Sequence, residues 1–331
     1  MANAGNMGPR RSLGKTHVAR ALWYVRPGGA ELRTAPLAPP GPGEARVRTL
    51  FSGISRGTER LVLRGEVPEA EWQRMRAPLQ QGDFPFPVKY GYCAVATVED
   101  GRTATCLHPH QDLSVAPLDK LVPVPDSVPS RRATLAANME TALNAHWDAG
   151  TGPGDRIVVV GAGGVGLLVA HLAARLPGAD VTIVDVDTSR ATVAEALGCR
   201  FAGPDAHPLD ADVVFHTSAT GAGLATALAA AGSEATLLEL SWYGEKPVFA
   251  PLGGSFHSRR LRLVSSQVGQ VAPSRRPRWG YRRRLEMAIA LLDSPALDQL
   301  VAEDVAFAET PHRLPEILAA GAGGLAPVIK Y

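Results

Sequence analysis

The chain has 331 residues, 45% of them hydrophobic and 20% charged, and its formal net charge is +2 at pH 7, which excludes a disordered chain and allows two ordinary domains. So small a net charge does not by itself indicate a nucleic-acid or membrane partner. No apolar run has the length of a membrane span, and residues 1–15 lack the apolar middle of a signal peptide, so we expect a cytoplasmic protein.

The first part of the chain predicts an irregular, β-rich domain. Residues 1–15 are small, polar and basic without periodicity, which predicts a flexible tail. A Pro- and Gly-rich connector at residues 36–43 is incompatible with a helix. Short strands are predicted at residues 18–25, 45–51, 88–98, 103–107 and 121–124.

From about Ser130 the pattern becomes an alternation of helices and strands. Residues 131–148 have helical spacing, and strands and helices then alternate through Val268, as in a doubly wound parallel sheet. The pattern after Pro273 predicts helices and strands again, which completes the β-rich domain around an insertion. The helices are predicted at residues 282–292 and 311–320, and the strands at 301–307 and 326–331.

The most specific motif lies in the inserted part. Residues 156–166 read RIVVVGAGGVG, an apolar strand that ends in glycines and continues into a helix. In a Rossmann dinucleotide-binding fold Gly161 ends the strand, Gly163 lets the backbone approach a pyrophosphate, and Gly166 lets the helix pack closely. A second strand ends in Asp185, nineteen residues beyond Gly166, where a carboxylate accepts from a ribose hydroxyl and disfavours a 2′-phosphate. The motif predicts that NAD(H) is favoured over NADP(H), with binding by Gly161, Gly163, Gly164, Val165, Gly166 and Asp185.

A second motif, FSGISRGTE at residues 51–59, resembles the segment of medium-chain dehydrogenase/reductases in which a Ser-Gly-Ile turn precedes a zinc-binding cysteine. The glycine motif, Asp185 and the tail at residues 296–324 are similar to the same superfamily, so the resemblance covers nearly the whole chain. SGISRGTE, PHQ at residues 109–111 and NMETALNA at residues 138–145 most resemble the branch that holds bacteriochlorophyllide a dehydrogenase.

The resemblance implies an α/β protein of two domains. A GroES-like β-rich catalytic domain would comprise residues 16–129 and 272–331. A Rossmann domain with a doubly wound parallel sheet would be inserted mid-chain at residues 130–271. Members of the superfamily commonly pair through their nucleotide-binding domains, so we expect a homodimer.

The chain departs from the zinc-dependent members at the metal site. The corresponding positions hold Ser55, Tyr92 and residues 137–139, and serine, tyrosine and alanine are not zinc ligands. Three distant cysteines allow neither a four-cysteine structural zinc lobe nor a disulfide framework. We therefore predict a zinc-independent protein without metal; the alternative is a rearranged site of Cys93, His108, His110 or Glu140.

Without a metal as Lewis acid, a side chain must move the proton that accompanies hydride transfer. The resemblance places Tyr92 in the cleft beside the nicotinamide, because it occupies a zinc-ligand position. Each candidate also has a structural alternative: a buried hydrogen bond, an ion pair within the domain, or stabilisation of a turn. The predicted catalytic residues are Tyr92, Glu59, His110, Ser55 and Thr58.

Further cofactor contacts follow from the resemblance and from the rule that ligands bind at the carboxyl ends of parallel strands. Arg190 would lie over the adenosine, Arg56 would reach the pyrophosphate, and Thr141 would contact the nicotinamide side. The rest of the nicotinamide wall would be formed by Thr217, Ser218, Ser241, Trp242, Gln267 and Val268.

Positive charge is concentrated between residues 259 and 284. It is interpreted either as a collar that binds a carboxylate- or phosphate-bearing substrate, or as a solvated face or subunit contact. The arginines are Arg259, Arg260, Arg262, Arg275, Arg276, Arg278, Arg282, Arg283 and Arg284.

These patterns predict a zinc-independent oxidoreductase that transfers hydride between NAD(H) and an alcohol or ketone on a bulky or anionic small molecule. One alternative is a zinc-free reductase of an activated C=C bond, in which an enolate forms. The other is a non-catalytic nucleotide-sensing or nucleic-acid-binding protein on the same fold, with the arginines as its binding face.

Overall fold

A computed structural model describes residues 17–301, 303–319 and 321–331. The predicted flexible tail at residues 1–15 lies outside the described residues. The strands are β1 (His17–Arg26), β2 (Gly29–Leu37), β3 (Glu44–Gly53), β4 (Gln81–Gly82), β5 (Val88–Lys89), β6 (Ala94–Val98), β7 (Thr103–Cys106), β8 (Leu113–Pro117), β9 (Val122–Pro123), β10 (Arg156–Val160), β11 (Asp180–Val184), β12 (Arg200–Ala202), β13 (Ala211–His216), β14 (Ala231–Glu239), β15 (Arg262–Ser265), β16 (Asp304–Ala306) and β17 (Val328–Lys330). The helices are α1 (Arg56–Arg64), α2 (Ser130–Ala133), α3 (Ala136–Ala149), α4 (Gly164–Ala173), α5 (Ala191–Ala196), α6 (Gly221–Ala230), α7 (Ser255–Ser258), α8 (Tyr281–Ala290) and α9 (Thr310–Ile317).

The glycine motif lies in a six-stranded parallel sheet with the order β12-β11-β10-β13-β14-β15. Numbered from β10, this is the 3-2-1-4-5-6 order of a Rossmann fold, and the order reverses between β10 and β13. The central strands are runs of valine and isoleucine buried on both faces, as parallel strands covered by helices require. The predicted doubly wound parallel sheet is confirmed.

The remaining strands form two further sheets. One has the order β16-β17-β3-β6-β7-β9, with β8 also paired to β3, and the other has the order β2-β1-β5-β4. β17 pairs antiparallel with β3, where Val328 lies opposite Gly53, so the two ends of the chain complete one β-rich unit. This agrees with the predicted GroES-like domain, whereas the exact boundaries at residues 129 and 272 stay a prediction.

Some strands differ from the sequence analysis. β2 was not predicted; it pairs with β1 in a hairpin whose turn contains Gly28 at φ +71°, and its residues are half-buried or exposed, none of them fully buried. The predicted strand at residues 88–98 is interrupted because Gly91 adopts a φ of +122°, and β5 and β6 enter different sheets. Residues Pro295–Val301 form a 3₁₀ helix before β16.

The inserted and flanking parts share one hydrophobic core. Met139 of α3, Leu167 of α4, Leu285 of α8 and Val328 of β17 belong to the same buried cluster. Full burial of such a side chain stabilises the folded state by about 1.5–3 kcal/mol. None of the helices in the described residues is both long enough and apolar enough to cross a membrane.

A buried ion pair also crosses this core. The side chain of Arg284 is 2% exposed and its Nε lies 2.9 Å from Glu140 Oε1. The same guanidinium donates to Asn144 Oδ1 at 2.7 Å and to the carbonyl oxygens of Val268 and Gln270. Arg284 therefore joins α8 to α3 and to the segment that follows β15.

Candidate active site

The turn between β10 and α4 is built by close backbone approaches. A Cβ atom on Gly166 would overlap the carbonyl oxygen of Gly161, and one on Gly161, at φ +113°, would lie 2.7 Å from Thr217 Oγ1. A Cβ on Gly163 would meet no atom within 4 Å. Two glycines are thus required by the fold, whereas Gly163 leaves backbone open at the start of α4. Free N–H groups at this helix end suit a pyrophosphate.

Asp185 lies directly beside this turn. Its Oδ2 accepts from the N–H of Ala162 at 2.6 Å, and its Oδ1 accepts from the N–H of Asp187 at 2.8 Å. A carboxylate has about four acceptor positions, so lone pairs remain for ribose hydroxyls. The residues present therefore fit a dinucleotide.

Two of the arginines predicted to contact the cofactor converge on one backbone segment. Arg56 donates to the carbonyl oxygens of Ala322, Gly323 and Gly324 at 2.6, 2.9 and 2.8 Å, and Arg190 donates to that of Gly324 at 3.0 Å. Burial, and next the positive charge of Arg60 and of Arg190, lowers the pKa of Arg56.

This backbone segment lies against the glycine turn. A Cβ on Gly164 would lie 3.7 Å from the carbonyl oxygen of Leu325, the residue that follows the segment. Arg56 Nε is a buried donor with no hydrogen-bond partner among the described residues. Pyrophosphate binding by Arg56 and adenosine binding by Arg190 stay predictions.

The carboxyl ends of the parallel strands lie in one row. Val160, His216, Glu239 and Ser265 end β10, β13, β14 and β15 and are paired in register. The predicted nicotinamide wall follows these strand ends, with Thr217 and Ser218 after β13, Ser241 and Trp242 after β14, and Gln267 and Val268 after β15. Within it, Thr217 Oγ1 donates to the carbonyl oxygen of Gly161 at 2.8 Å, and Ser241 Oγ accepts from the N–H of Ala219 at 3.0 Å.

The remaining members of the predicted wall have local partners. Thr141 Oγ1 donates to the carbonyl oxygen of Ala137 within α3. Gln267 Oε1 accepts from the N–H of Gly269, and the carbonyl oxygen of Val268 accepts from Arg284. These contacts order the segments without showing what they bind.

The loop after β14 crosses to the β-rich domain. Trp242 packs against the same hydrophobic cluster as Tyr92. Two residues further, a Cβ on Gly244 would lie 3.3 Å from Leu61 Cδ2 of α1. The nucleotide-binding side and the β-rich side therefore meet at Trp242.

Three predicted catalytic residues form a group of hydroxyls. Burial, and next the nearby Cys93, raises the pKa of Tyr92 well above its usual value, while hydrogen bonds to Ser55 and Thr58 act in the opposite direction. Tyr92 is therefore a neutral phenol at physiological pH. We refer to Ser55, Thr58 and Tyr92 as the hydroxyl group.

Glu59 and His110 are also brought together, as a pair whose side chains are both 0% exposed. Glu59 Oε2 accepts from Tyr24 Oη at 2.6 Å and lies 3.0 Å from His110 Nε2, while Oε1 accepts from the N–H of Ser55 at 2.7 Å. On this side Glu59 therefore fixes the turn that carries Ser55. The catalytic roles predicted for Glu59 and His110 stay predictions.

The same buried network continues on the other side of His110. Its Nδ1 lies 2.7 Å from Ser52 Oγ, which lies 2.9 Å from Tyr331 Oη. The imidazole also packs against Gly91, where a Cβ would lie 2.8 Å from the ring. Gly91 directly precedes Tyr92, so the packing of His110 against Gly91 fixes the backbone that carries Tyr92. Glu59 fixes the backbone of Ser55 in a similar way, through its hydrogen bond to the Ser55 N–H.

The donors at the expected zinc positions do not fit a zinc ion. They are the hydroxyls of Ser55 and Tyr92 and the side chains of residues 137–139, whereas zinc takes thiolate, imidazole and carboxylate. No group of three or more His, Cys, Asp or Glu side chains within the described residues is arranged to hold a metal.

The alternative zinc ligands are committed elsewhere. Glu140 pairs with Arg284, His110 with Glu59, and His108 Nδ1 lies 2.8 Å from the carbonyl oxygen of Pro109. Burial raises the pKa of the Cys93 thiol. The structure thus gives no support to the rearranged site, and zinc independence stays a prediction.

Most of the nine arginines have separate local partners. Arg259 donates to the carbonyl oxygen of Ala231, Arg260 pairs with Glu234, Arg282 pairs with Glu286, and Arg284 is buried. Arg276 and Arg283 also donate to backbone carbonyl oxygens, and the guanidinium of Arg275 lies over the ring of Trp147. The collar interpretation stays a prediction.

Two residues with a place in the site were missed. His216 and Glu239 end β13 and β14, and their side chains lie 2.7 Å apart between Nδ1 and Oε2. The signal was present, because each is a polar residue at the carboxyl end of an apolar strand. The same rule had selected Thr217 and Ser241.

Comparisons with known proteins support the fold. No protein-family model matches the chain. It is similar to D-guloside 3-dehydrogenase from Escherichia coli (strain K12), with 25% identity over 307 residues that cover 81% of this chain and 87% of that protein.

Solved structures cover the chain almost completely. 2R,3R-butanediol dehydrogenase from Bacillus subtilis has a TM-score of 0.76 at 15% identity, covering 95% of this chain and 99% of that one. A protein of Sinorhizobium meliloti 1021, described as a zinc-binding dehydrogenase and bound to NADP, has a TM-score of 0.76 at 17% identity. That match covers 95% of this chain and 100% of the other. Acetophenone reductase from Geotrichum candidum NBRC 4597, in complex with NAD, has a TM-score of 0.75 at 19% identity. That match covers 95% of this chain and 97% of the other. The chain therefore has the GroES-like plus Rossmann fold, as predicted.

The contrast between Gly166 and Gly163 gives a direct test of the turn. Gly166→Ala should lower the free energy of unfolding by about 1–3 kcal/mol, because the added methyl overlaps a backbone carbonyl. Gly163→Ala should fold with nearly unchanged stability but bind NADH more weakly, because its methyl occupies the approach of the pyrophosphate. Urea unfolding and NADH fluorescence titration of both variants measure these effects. Equal stability losses in the two variants would contradict the assignment.

Proposed function

We propose that this chain is an oxidoreductase of the medium-chain dehydrogenase/reductase superfamily that transfers hydride between NAD(H) and an alcohol/ketone pair without catalytic zinc. The observation that carries the proposal is the glycine turn at the reversal of strand order, with open backbone at Gly163 and the carboxylate of Asp185 fixed beside it. The resemblance to D-guloside 3-dehydrogenase supports oxidoreductase chemistry.

The chain's own residues account for the binding half of the reaction. The N–H groups at the start of α4 hold the pyrophosphate and Asp185 holds a ribose hydroxyl, so that the strand ends of β13 and β14 face the nicotinamide. When bound, the dinucleotide supplies or accepts the hydride at C4 of its nicotinamide ring. Asp185 favours NAD(H), so we expect weaker binding of NADP(H).

The proton is handled by the hydroxyl group. Because burial raises the pKa of Tyr92, its phenol is protonated. In ketone reduction it donates that proton to the carbonyl oxygen as hydride reaches the carbonyl carbon, and the phenolate is then reprotonated from solvent; alcohol oxidation runs the same steps in reverse. Ser55 and Thr58 lie beside that phenol. Glu59 and His110 hold the hydroxyl group in place without touching the substrate.

The site favours a neutral, hydroxylated substrate over an anionic one. Hydroxyl side chains donate and accept, which suits alcohols and vicinal diols, and the flat ring of Trp242 offers an apolar surface beside them. Three of the arginines that could have recognised an anion, Arg260, Arg282 and Arg284, are paired with acidic side chains instead. We therefore place the substrate among sugars, glycosides and polyols.

The reaction is tested with purified protein, a panel of glycosides, polyols and ketones, and NADH deuterated at C4. Deuterium should appear on the carbinol carbon of the product. Deuterium found only on a former alkene carbon would establish reduction of an activated C=C bond in place of the alcohol/ketone reaction. Activity should survive exhaustive chelation, and near-stoichiometric zinc in the chelated, active protein would overturn zinc independence.

Tyr92→Phe tests the proton donor. Loss of the phenolic hydroxyl should lower kcat about 10²- to 10⁴-fold and leave NADH affinity unchanged, because the ring and its packing remain. Tyr90→Phe is the matched control, since Tyr90 packs edge-on against Tyr92 at 6.0 Å between centroids. Steady-state kinetics of both variants measures the effect, and Tyr90→Phe should keep the wild-type kcat. An unchanged kcat in Tyr92→Phe would show that Tyr92 is not the proton donor.

We also propose a homodimer through the free edge of the six-stranded sheet. β15 ends that sheet and all its residues are exposed, with Leu263 at 39% and Val264 at 38%. An exposed apolar edge strand is a template for pairing with a second copy. The double variant Leu263→Lys, Val264→Lys should sediment as a monomer, whereas the wild type and a Val18→Lys control should sediment as dimers. A monomeric wild type would contradict the proposal.

A further inference from the structure

Buried His216 and half-buried Glu239 form a pair at the sheet edge that borders the proposed cofactor cleft. They lie opposite one another in β13 and β14, and His216 is in register with Val160, the last residue of β10 before the glycine turn. Ligands of open α/β sheets bind beside this reversal of strand order. The pair therefore lies immediately behind the residues that face the dinucleotide.

The proton of His216 has one location in this pair. Hydrogen bonds from His216 and Ser241 outweigh burial and hold the pKa of Glu239 below its usual value, so Glu239 is a carboxylate. A carboxylate only accepts hydrogen bonds, and its Oε2 lies 2.7 Å from His216 Nδ1. Nδ1 therefore carries the proton, and in the neutral imidazole Nε2 is left as an acceptor.

The acceptor at Nε2 orients Ser218. Ser218 Oγ lies 2.7 Å from His216 Nε2 and 3.0 Å from Thr220 Oγ1. Ser218 has one hydroxyl hydrogen and donates it to Nε2, so Thr220 Oγ1, which accepts from the N–H of Gly223 at 3.0 Å, must donate to Ser218. Ser218 thus donates to His216 and accepts from Thr220, which leaves one of its two lone pairs.

The arrangement is packed and has little freedom. A Cβ on Gly223 would overlap Ser218 Oγ and would lie 2.9 Å from His216 Nε2. A Cβ on Gly161 would lie 2.8 Å from the backbone nitrogen of Ser218, so Ser218 is adjacent to the first glycine of the motif. Ala219 has a φ of +54° and donates to Ser241 Oγ. The loops after β13 and β14 are therefore tied together.

We propose that His216 is a positioning residue for the dinucleotide: held by Glu239, it orients the Ser218 hydroxyl so that its remaining lone pair accepts from a ribose hydroxyl. The inference rests on the proposed dinucleotide-binding function and adds the residue that makes Ser218 an acceptor. A phosphate oxygen, which only accepts, has no hydrogen to offer that lone pair.

Two variants of His216 separate its two contacts. The side-chain amide of His216→Asn replaces Nδ1 and keeps the bond to Glu239, but it does not reach Ser218. The amide of His216→Gln extends to the place of Nε2 and keeps the contact with Ser218. Loss of one hydrogen bond corresponds to about a three- to tenfold change in affinity. In a fluorescence titration, the dissociation constant for NADH should rise by that factor in His216→Asn. In His216→Gln it should stay within about twofold of the wild-type value.

Ser218→Ala tests the same contact from its other side. Because Ser218 is only half-buried, this substitution leaves the hydrophobic core intact. It should weaken NADH binding as much as His216→Asn does, and combining the two should add no further loss, because they act through one contact. Additive losses, or equal affinities of the Asn and Gln variants, would overturn the inference. Wild-type affinity in Ser218→Ala would also overturn it, whereas failure of the wild type to bind NADH would instead refute the proposed function.

Discussion

The close approach of Gly166 to the carbonyl oxygen of Gly161 determines the geometry of the cleft. Because neither residue has a side chain, α4 begins directly at the carboxyl end of β10 and presents its first N–H groups at the reversal of strand order. Asp185 then binds the N–H of Ala162 and Thr217 binds the carbonyl of Gly161. These two contacts join β11 and β13 to the same turn.

The β-rich side depends on a buried carboxylate. A buried carboxyl group is tolerated inside a protein only when hydrogen-bond partners surround it. The oxygens of Glu59 lie within 3.0 Å of Tyr24 Oη, His110 Nε2 and the N–H of Ser55. This network lies next to Ser55 and Tyr92, because Glu59 binds the N–H of Ser55 and His110 packs against Gly91.

Local patterns were sufficient for much of the fold. The parallel sheet was predicted because its apolar strands, glycine turn and terminal Asp185 are each visible within a short window. β2 was not predicted, because only Ala30 and Leu32 pack against the core and the strand has no fully buried residue. The break at Gly91 follows from a φ that the sequence does not display. The predicted catalytic residues were named individually, but their division into an upper hydroxyl group and a buried pair was not visible.

The sequence by itself determined the dinucleotide turn, the order of its strands and helices, and the absence of thiolate and imidazole at the expected zinc positions, because these are properties of neighbouring residues. Only the tertiary structure decided which side chains meet. Glu59 and His110 are 51 residues apart, and His216 and Glu239 are 23 apart. Their partnerships and burial depend on how separate strands pack, which no local pattern contains.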